Sequence, residues 1–204
     1  MFRFSSFTTR DWVYVAVFGA LWGALELSLG AYLHVLFPPL TDTFFVGLIM
    51  AGLGAIVALA GRYFVPRPGA VLCIGVITAL LKALSLSGSR TGPMVAILAE
   101  AALMEVALLS SRAPTRWRYV LAGVLAVSWN FFHKFIMMRL MYGKGIEEVY
   151  RKMVKDGGET LGLDVGQAAF IIGVLFLLRV VVGAVAGWLA WGLGREVAGR
   201  LARE

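Results

Sequence analysis

Six stretches of this chain, near residues 11–37, 43–61, 69–87, 93–111, 117–142 and 166–194, are apolar over lengths that cross a lipid bilayer. A spanning helix needs about 20 largely apolar residues. The breaks between the stretches have local causes: Pro38-Pro39, the run from Arg62 to Pro68, the run from Ser87 to Pro93, and the cluster from Arg112 to Arg118. Lipid offers no partner to a backbone polar group, so only helices and closed barrels span it. The pattern predicts an all-α integral membrane protein, one membrane domain over 1–204 with six transmembrane helices. Composition agrees: 60% of residues are hydrophobic and 15% charged, against roughly 25% charged in a soluble domain. The first apolar run is too long for a signal-peptide core and reads as a retained helix. The single Cys73 excludes an internal disulfide and a cysteine metal site.

The net charge of +7 does not point to nucleic acid, because the basic residues are spread through the turns and form no dense patch. They fit a topology signal better. With the N-terminus inside, the cytoplasmic segments carry Arg3, Arg10, Arg62, Arg67, Arg112, Arg116, Arg118, Arg195, Arg200 and Arg203. On the other side lie Arg90 and a mixed segment in which Lys144, Arg151, Lys152 and Lys155 alternate with acidic residues. The expected location is the cell membrane, multi-pass, with both termini cytoplasmic. In the outer connection 143–165, Ile146, Val149, Tyr150 and Met153 follow helical spacing, which predicts a short amphipathic helix, either resting on the membrane surface or acting as a lid.

On the first helix Ala16, Ala20 and Ala24 recur every fourth residue, flanked by Gly19 and Gly23. The alanines spread over only about 80° of the helix circumference. Such a stripe lets another helix come close, since packing rather than the hydrophobic effect joins helices in lipid. Ordinary packing within the chain and a partner interface are both open. Glu26 lies about 120° from that stripe, on the face that carries Trp22.

Charges inside the membrane are costly and mark sites or buried pairs. Glu26, Lys82, Glu100, Glu105, Lys134 and Arg179 fall within the spans, with His34, Asn130, His133 and Arg139 beside them. Counted from the expected outer helix ends, Lys82, Glu100, Lys134, His133, Glu26 and Asn130 lie roughly 8–18 Å deep, in the outer half of a hydrocarbon layer about 30 Å thick. Glu105 and Arg179 match in depth on the fourth and sixth spans, which predicts a structural ion pair. On the fifth span Asn130, His133, Lys134, Met137 and Met141 share a face, and Trp129 stands one turn before His133. Lys134 has a plainer role as an ion-pair partner of Glu100 or Glu26, His133 as a packing residue, and Arg139 as a residue reaching the headgroups.

No phosphate-cradling loop, HExxH, nucleophile elbow or carboxylate-rich metal motif is present in the sequence. The chain is therefore expected not to be an enzyme, to need no cofactor or metal, and to leave ATP hydrolysis to partners. The competing expectations are a membrane-embedded enzyme or assembly subunit acting on a lipid or isoprenoid, with His133, Lys134 and Glu100 as acid/base groups, and a purely structural role for the buried charges.

Two further motifs are Arg67-Pro68-Gly69-Ala70 and, after a helix, Ser87-Gly88-Ser89-Arg90-Thr91-Gly92-Pro93-Met94. They resemble the Arg/Lys-Pro-Gly-Ala and Gly-Pro-Met signatures around the third helix of the substrate-capture (S) components of energy-coupling-factor (ECF) vitamin transporters, of the hydroxymethylpyrimidine/thiamine type. Ala16-x-x-x-Ala20-x-x-x-Ala24 is similar to the alanine motif on the first helix of those proteins. The long charged connection 143–165 and the Asn-x-x-His-Lys series depart from that pattern. The resemblance implies a subunit that captures a small vitamin-like molecule, joined to a transmembrane coupling protein and two cytoplasmic ATPases. It also implies that Ala16, Ala20 and Ala24 face the coupling protein. The expected substrate pocket is built from Trp22, Glu26, Lys82, Glu100, Trp129, Asn130 and His133. For an aminopyrimidine, a carboxylate, best Glu100, accepts from the ring amine, Trp129 stacks, and Asn130 reads the ring edge.

Overall fold

The computed structural model describes residues 7–36, 45–85, 91–109, 115–142, 145–162 and 164–201. Ser87 to Arg90 and Pro38-Pro39 lie outside these, as do the side chains of His34, Lys134, Arg139 and Met141. Among the described residues the chain forms seven α-helices and no strand: α1 Thr9–Leu36, α2 Phe45–Phe64, α3 Ala70–Ala83, α4 Thr91–Leu108, α5 Arg116–Tyr142, α6 Ile146–Leu161 and α7 Ala168–Leu201, the last entered through a 3-10 turn at Val165–Gln167.

Four of them, α1, α2, α4 and α7, are long and apolar enough to cross a membrane. Apolar α3 is shorter, at 14 residues, and α5 carries the polar run around Asn130. The helices alternate in direction, so one end of the bundle gathers Thr9 and Leu201, here called the terminal end, and the opposite end carries α6. Neighbours run α1, α3, α4, α5, α7 and back to α1 through α2, which also touches α3, α4 and α5 and is the most enclosed of the four long apolar helices.

Local chemistry sets the helix ends. Thr8 and Asp11 form a reciprocal cap at the start of α1: the Thr8 amide donates to Asp11 Oδ2 at 2.8 Å, and the Asp11 amide donates to Thr8 Oγ1 at 3.2 Å. Pro93 sits in the first turn of α4, where a missing N–H breaks no helical bond. The last helix passes the expected end at 194 and runs to Leu201, with Glu196 and Arg200 paired one turn apart at 2.6 Å.

Glycine positions hold the tightest junctions. On α7, Gly183 and Gly187 lie against the backbone of α5 at Gly123 and Tyr119, so close that a β-carbon at any of the three glycines would enter the other helix. This is a small-xxx-small seam of the kind that joins membrane helices. On α1, Gly19 and Gly23 face Ile77 and Leu81 of α3. Ala16, Ala20 and Ala24 lie on the exposed side, with Trp12, Val13, Val17 and Leu21 about half exposed around them. The two small-residue series therefore separate: the glycines pack within the chain and the alanines face out of it.

Helix α6 lies in the segment expected to be amphipathic. It rests on α7 and α5 through Val154, which joins Phe131, Ile171 and Leu175 in an apolar cluster, while Glu147, Arg151, Lys155 and Glu159 remain exposed. At 34 residues, α7 is about 51 Å long, well beyond a hydrocarbon layer about 30 Å thick, and its first turns supply the seat for α6.

Candidate functional site

Two polar layers cross the bundle. The one nearer the terminal end is built around Arg67-Pro68-Gly69-Ala70. Gly69 adopts φ +92, a left-handed conformation that favours glycine, and it precedes α3 without a side chain to cap it. The cap comes from α4: Glu105 Oε1 accepts from the Gly69 amide at 2.7 Å, and Oε2 accepts from the amides of Val71 at 2.9 Å and Leu72 at 3.4 Å. A carboxylate on a helix N-terminus satisfies orphan donors and complements the helix dipole. Arg67 Nε meets Asp11 Oδ2 at 2.6 Å. This motif is thus a joint that ties the starts of α1 and α3 to α4.

That joint corrects the expected pairing of Glu105 with Arg179. Among the described residues no ion pair joins them. Glu105 is level with Gly69, whereas Arg179 lies over the Phe131 ring at 5.2 Å and donates from Nη1 to the Leu175 carbonyl at 3.0 Å. Helix α4 packs on α3 and α5, and α7 on α5 and α2, so similar depth on two helices does not become contact. A cation near Glu105 is Arg62, one of the basic residues expected in the cytoplasmic segments. It is fully buried, with Nη1 donating to the Val65 carbonyl at 3.0 Å and Nε and Nη2 unpartnered among the described residues.

The second layer, toward the α6 end, brings together Glu26 of α1, Lys82 of α3, Glu100 of α4 and Asn130 of α5. Lys82 Nζ lies 3.3 Å from Glu26 Oε2 and donates to the Glu26 carbonyl at 2.9 Å, an ion pair that bridges α1 and α3. Glu100 is 4% exposed, and Asn130 Nδ2 approaches its Oε1 at 3.5 Å, the outer limit of a hydrogen bond. Glu26 is near enough for the two carboxylates to repel. Asn130 reaches this position because α2 presents Gly47 beneath it: a β-carbon there would fall 2.8 Å from Asn130 Oδ1. The sequence reading did not single out Gly47, and its only signal was a small residue in the first turn of α2.

The remaining expected site residues divide. Trp129 and His133 are neighbours on α5, ring centroids 6.2 Å apart, and His133 is within hydrogen-bonding range of the Gly92 main chain. Trp129 Nε1 and His133 Nδ1 are buried without a partner among the described residues. Buried polar atoms are nearly always satisfied in native proteins, so these two are open to a polar ligand. Trp22 is fully buried, seated where Gly54 of α2 leaves room. It packs α1 on α2 a turn away from Glu26, and its Nε1 is also unpartnered among the described residues.

This arrangement, apolar helices enclosing a polar layer drawn from four of them, defines an α-helical integral membrane protein. The chain belongs to the Trep_Strep family, described as hypothetical bacterial integral membrane proteins, whose family model matches residues 9–195. No curated protein and no solved structure matches the chain.

Proposed function

We propose that this protein is the substrate-capture subunit of an ATP-driven importer of the ECF type, taking a vitamin or vitamin precursor of the thiamine/hydroxymethylpyrimidine kind. In this reading six helices cross the cell membrane and both termini are cytoplasmic. The Arg residues of the terminal end, Arg10, Arg67, Arg116, Arg118, Arg195 and Arg200, then face inward. The layer of Glu26, Lys82, Glu100 and Asn130 opens toward the outside beneath α6. Trp129 and His133 border it on α5, and Trp22 backs it on α1. The subunit is not an enzyme; two cytoplasmic ATPases do the ATP hydrolysis, and a transmembrane coupling protein joins them to this chain.

The observation that carries the reading is the division of labour on α1. Its glycines pack on α3, its carboxylate at Glu26 points into the polar layer, and its alanines, with no packing role inside the chain, present a smooth exposed strip. A close-packing partner helix explains why that strip is small rather than bulky. Replacing Ala16 and Ala20 together with leucine is expected to abolish co-purification with a coupling protein while leaving ligand binding intact. A complex that survives this double change sinks the assignment.

A further inference from the structure

The polar layer near α6 is short of positive charge. Among its described side chains stand two carboxylates and one lysine, and the lysine is committed to Glu26 by both its ion pair and its hydrogen bond to the Glu26 carbonyl. Glu100 has no cationic partner among the described residues. Among the described residues its one hydrogen-bond partner is a neutral amide at 3.5 Å, and it is buried in the interior of a membrane protein. An isolated carboxylate in such a place is strongly unfavourable unless something neutralises it. Elsewhere in this chain the same problem is solved by donors: Asp11 has Arg67 and Thr8, and Glu105 has three backbone amides.

We infer that the ligand of this layer is a compact organic cation, a flat nitrogen heterocycle or amidinium whose positive charge is set against Glu100. The inference rests on the reading above that the layer is a capture site, and it narrows the ligand to one class by charge. Asn130, held in place by Gly47, reads the ring edge beside that charge. Trp129 Nε1 donates to an acceptor on the ligand and His133 Nδ1 meets a second polar atom, so the ligand carries both a positive centre and neutral heteroatoms. Lys82 completes the selection. Locked to Glu26, it supplies enough charge to balance one carboxylate and leaves the other for the ligand. An anionic ligand finds no counter-charge among these residues.

The experiment uses the full chain in lipid nanodiscs and two matched pairs of probes: benzamidine against neutral benzamide, and thiamine, a thiazolium cation, against neutral 4-amino-5-hydroxymethyl-2-methylpyrimidine. Affinities are read by calorimetry and by quenching of tryptophan fluorescence. An ion pair with Glu100, hydrogen-bonded through the N–H groups of benzamidinium and purely electrostatic with the thiazolium, predicts that the cation in at least one pair binds about 10- to 100-fold tighter than its neutral partner. Glu100→Gln is expected to erase that preference, and Glu100→Asp, which keeps the charge, to weaken binding but retain it. Equal affinity within both pairs, or no saturable binding of either cation to the wild-type chain, overturns the inference. The wild-type comparison stands even where a variant fails to fold. A chain that prefers cations but never joins a coupling protein keeps this inference and sinks the importer reading. A chain that joins the coupling protein and shows no charge preference does the reverse.

Discussion

Glu100 and Glu105 stand on the same helix, buried to the same degree, at 4% and 5% exposure, and their surroundings could hardly differ more. Glu105 accepts three backbone hydrogen bonds at the start of α3, with Arg62 nearby. Glu100 meets one side-chain amide at the limit of bonding distance, and a second carboxylate in repulsive range. Burial alone does not separate a structural charge from a functional one. The number of donors already committed to it does, because a saturated carboxylate has little left to offer a ligand, and a bare one is costly until something arrives.

The largest expected effect is at Glu105. Glu105→Ala strips the acceptor from three amides and leaves Arg62 buried without its neighbouring carboxylate, a loss of about 3–5 kcal/mol by analogy with broken buried ion pairs. The thermal midpoint of the purified protein should fall steeply, and the folded fraction should bind ligand with normal affinity. Glu100→Gln is expected to do the opposite. It replaces an uncompensated carboxylate with a neutral group of the same shape, so the midpoint stays level or rises, while affinity drops tenfold or more, about 1.4 kcal/mol or above. If both variants lose stability alike, the contrast between the two ends of α4 is wrong.

How much of this was legible beforehand follows from what a sequence encodes. A charge in an apolar run is visible one residue at a time, so Glu26, Lys82, Glu100, Glu105 and Asn130 stood out, and the helices carrying them did too. Pairing depends on which helices are neighbours. Depth placed Glu105 beside Arg179, but α5 comes between α4 and α7. The amides that Glu105 caps belong to Gly69, Val71 and Leu72, more than 30 residues earlier, and backbone groups leave no mark in the residue types that would announce a missing cap. Arg62, at the start of a Pro-containing break, reads as a basic residue of a cytoplasmic segment, whereas α2 runs on to Phe64 and carries it into the core. On α1 the spacing defined two small-residue faces but not which of them the rest of the chain would cover.

Gly47 sharpens the comparison at a finer scale. It is the support of Asn130, and Asn130 is the one hydrogen-bond donor to Glu100 among the described residues. Gly47→Ala adds a β-carbon where the amide oxygen now sits, and the flexible end of Asn130 is what gives way. The expected result is loss of about one hydrogen bond, weak because it is at the limit of bonding distance, near 1 kcal/mol or roughly fivefold in affinity, with the midpoint little changed. Asn130→Ala should match it, and the double variant should be no worse than either single one, since both remove the same contact. Additive losses would show that Gly47 acts on something other than Asn130.

The smallest effect is expected where the comparison is most exposed to solvent. Arg67 and Asp11 pair at 2.6 Å, with side chains 24% and 11% exposed. Arg67→Lys keeps the charge but loses the planar guanidinium that meets the carboxylate through Nε. Partly exposed pairs contribute at most about 1 kcal/mol, and salt reduces that further. The midpoint should fall slightly at low ionic strength, less at high, with ligand affinity unchanged under both. Asp11 retains its bonds from Thr8 in the variant, which is why the start of α1 survives. A change in ligand affinity larger than the change in stability would mean that the terminal joint communicates with the layer near α6, and the division drawn between Glu100 and Glu105 would have to give way to a single coupled network.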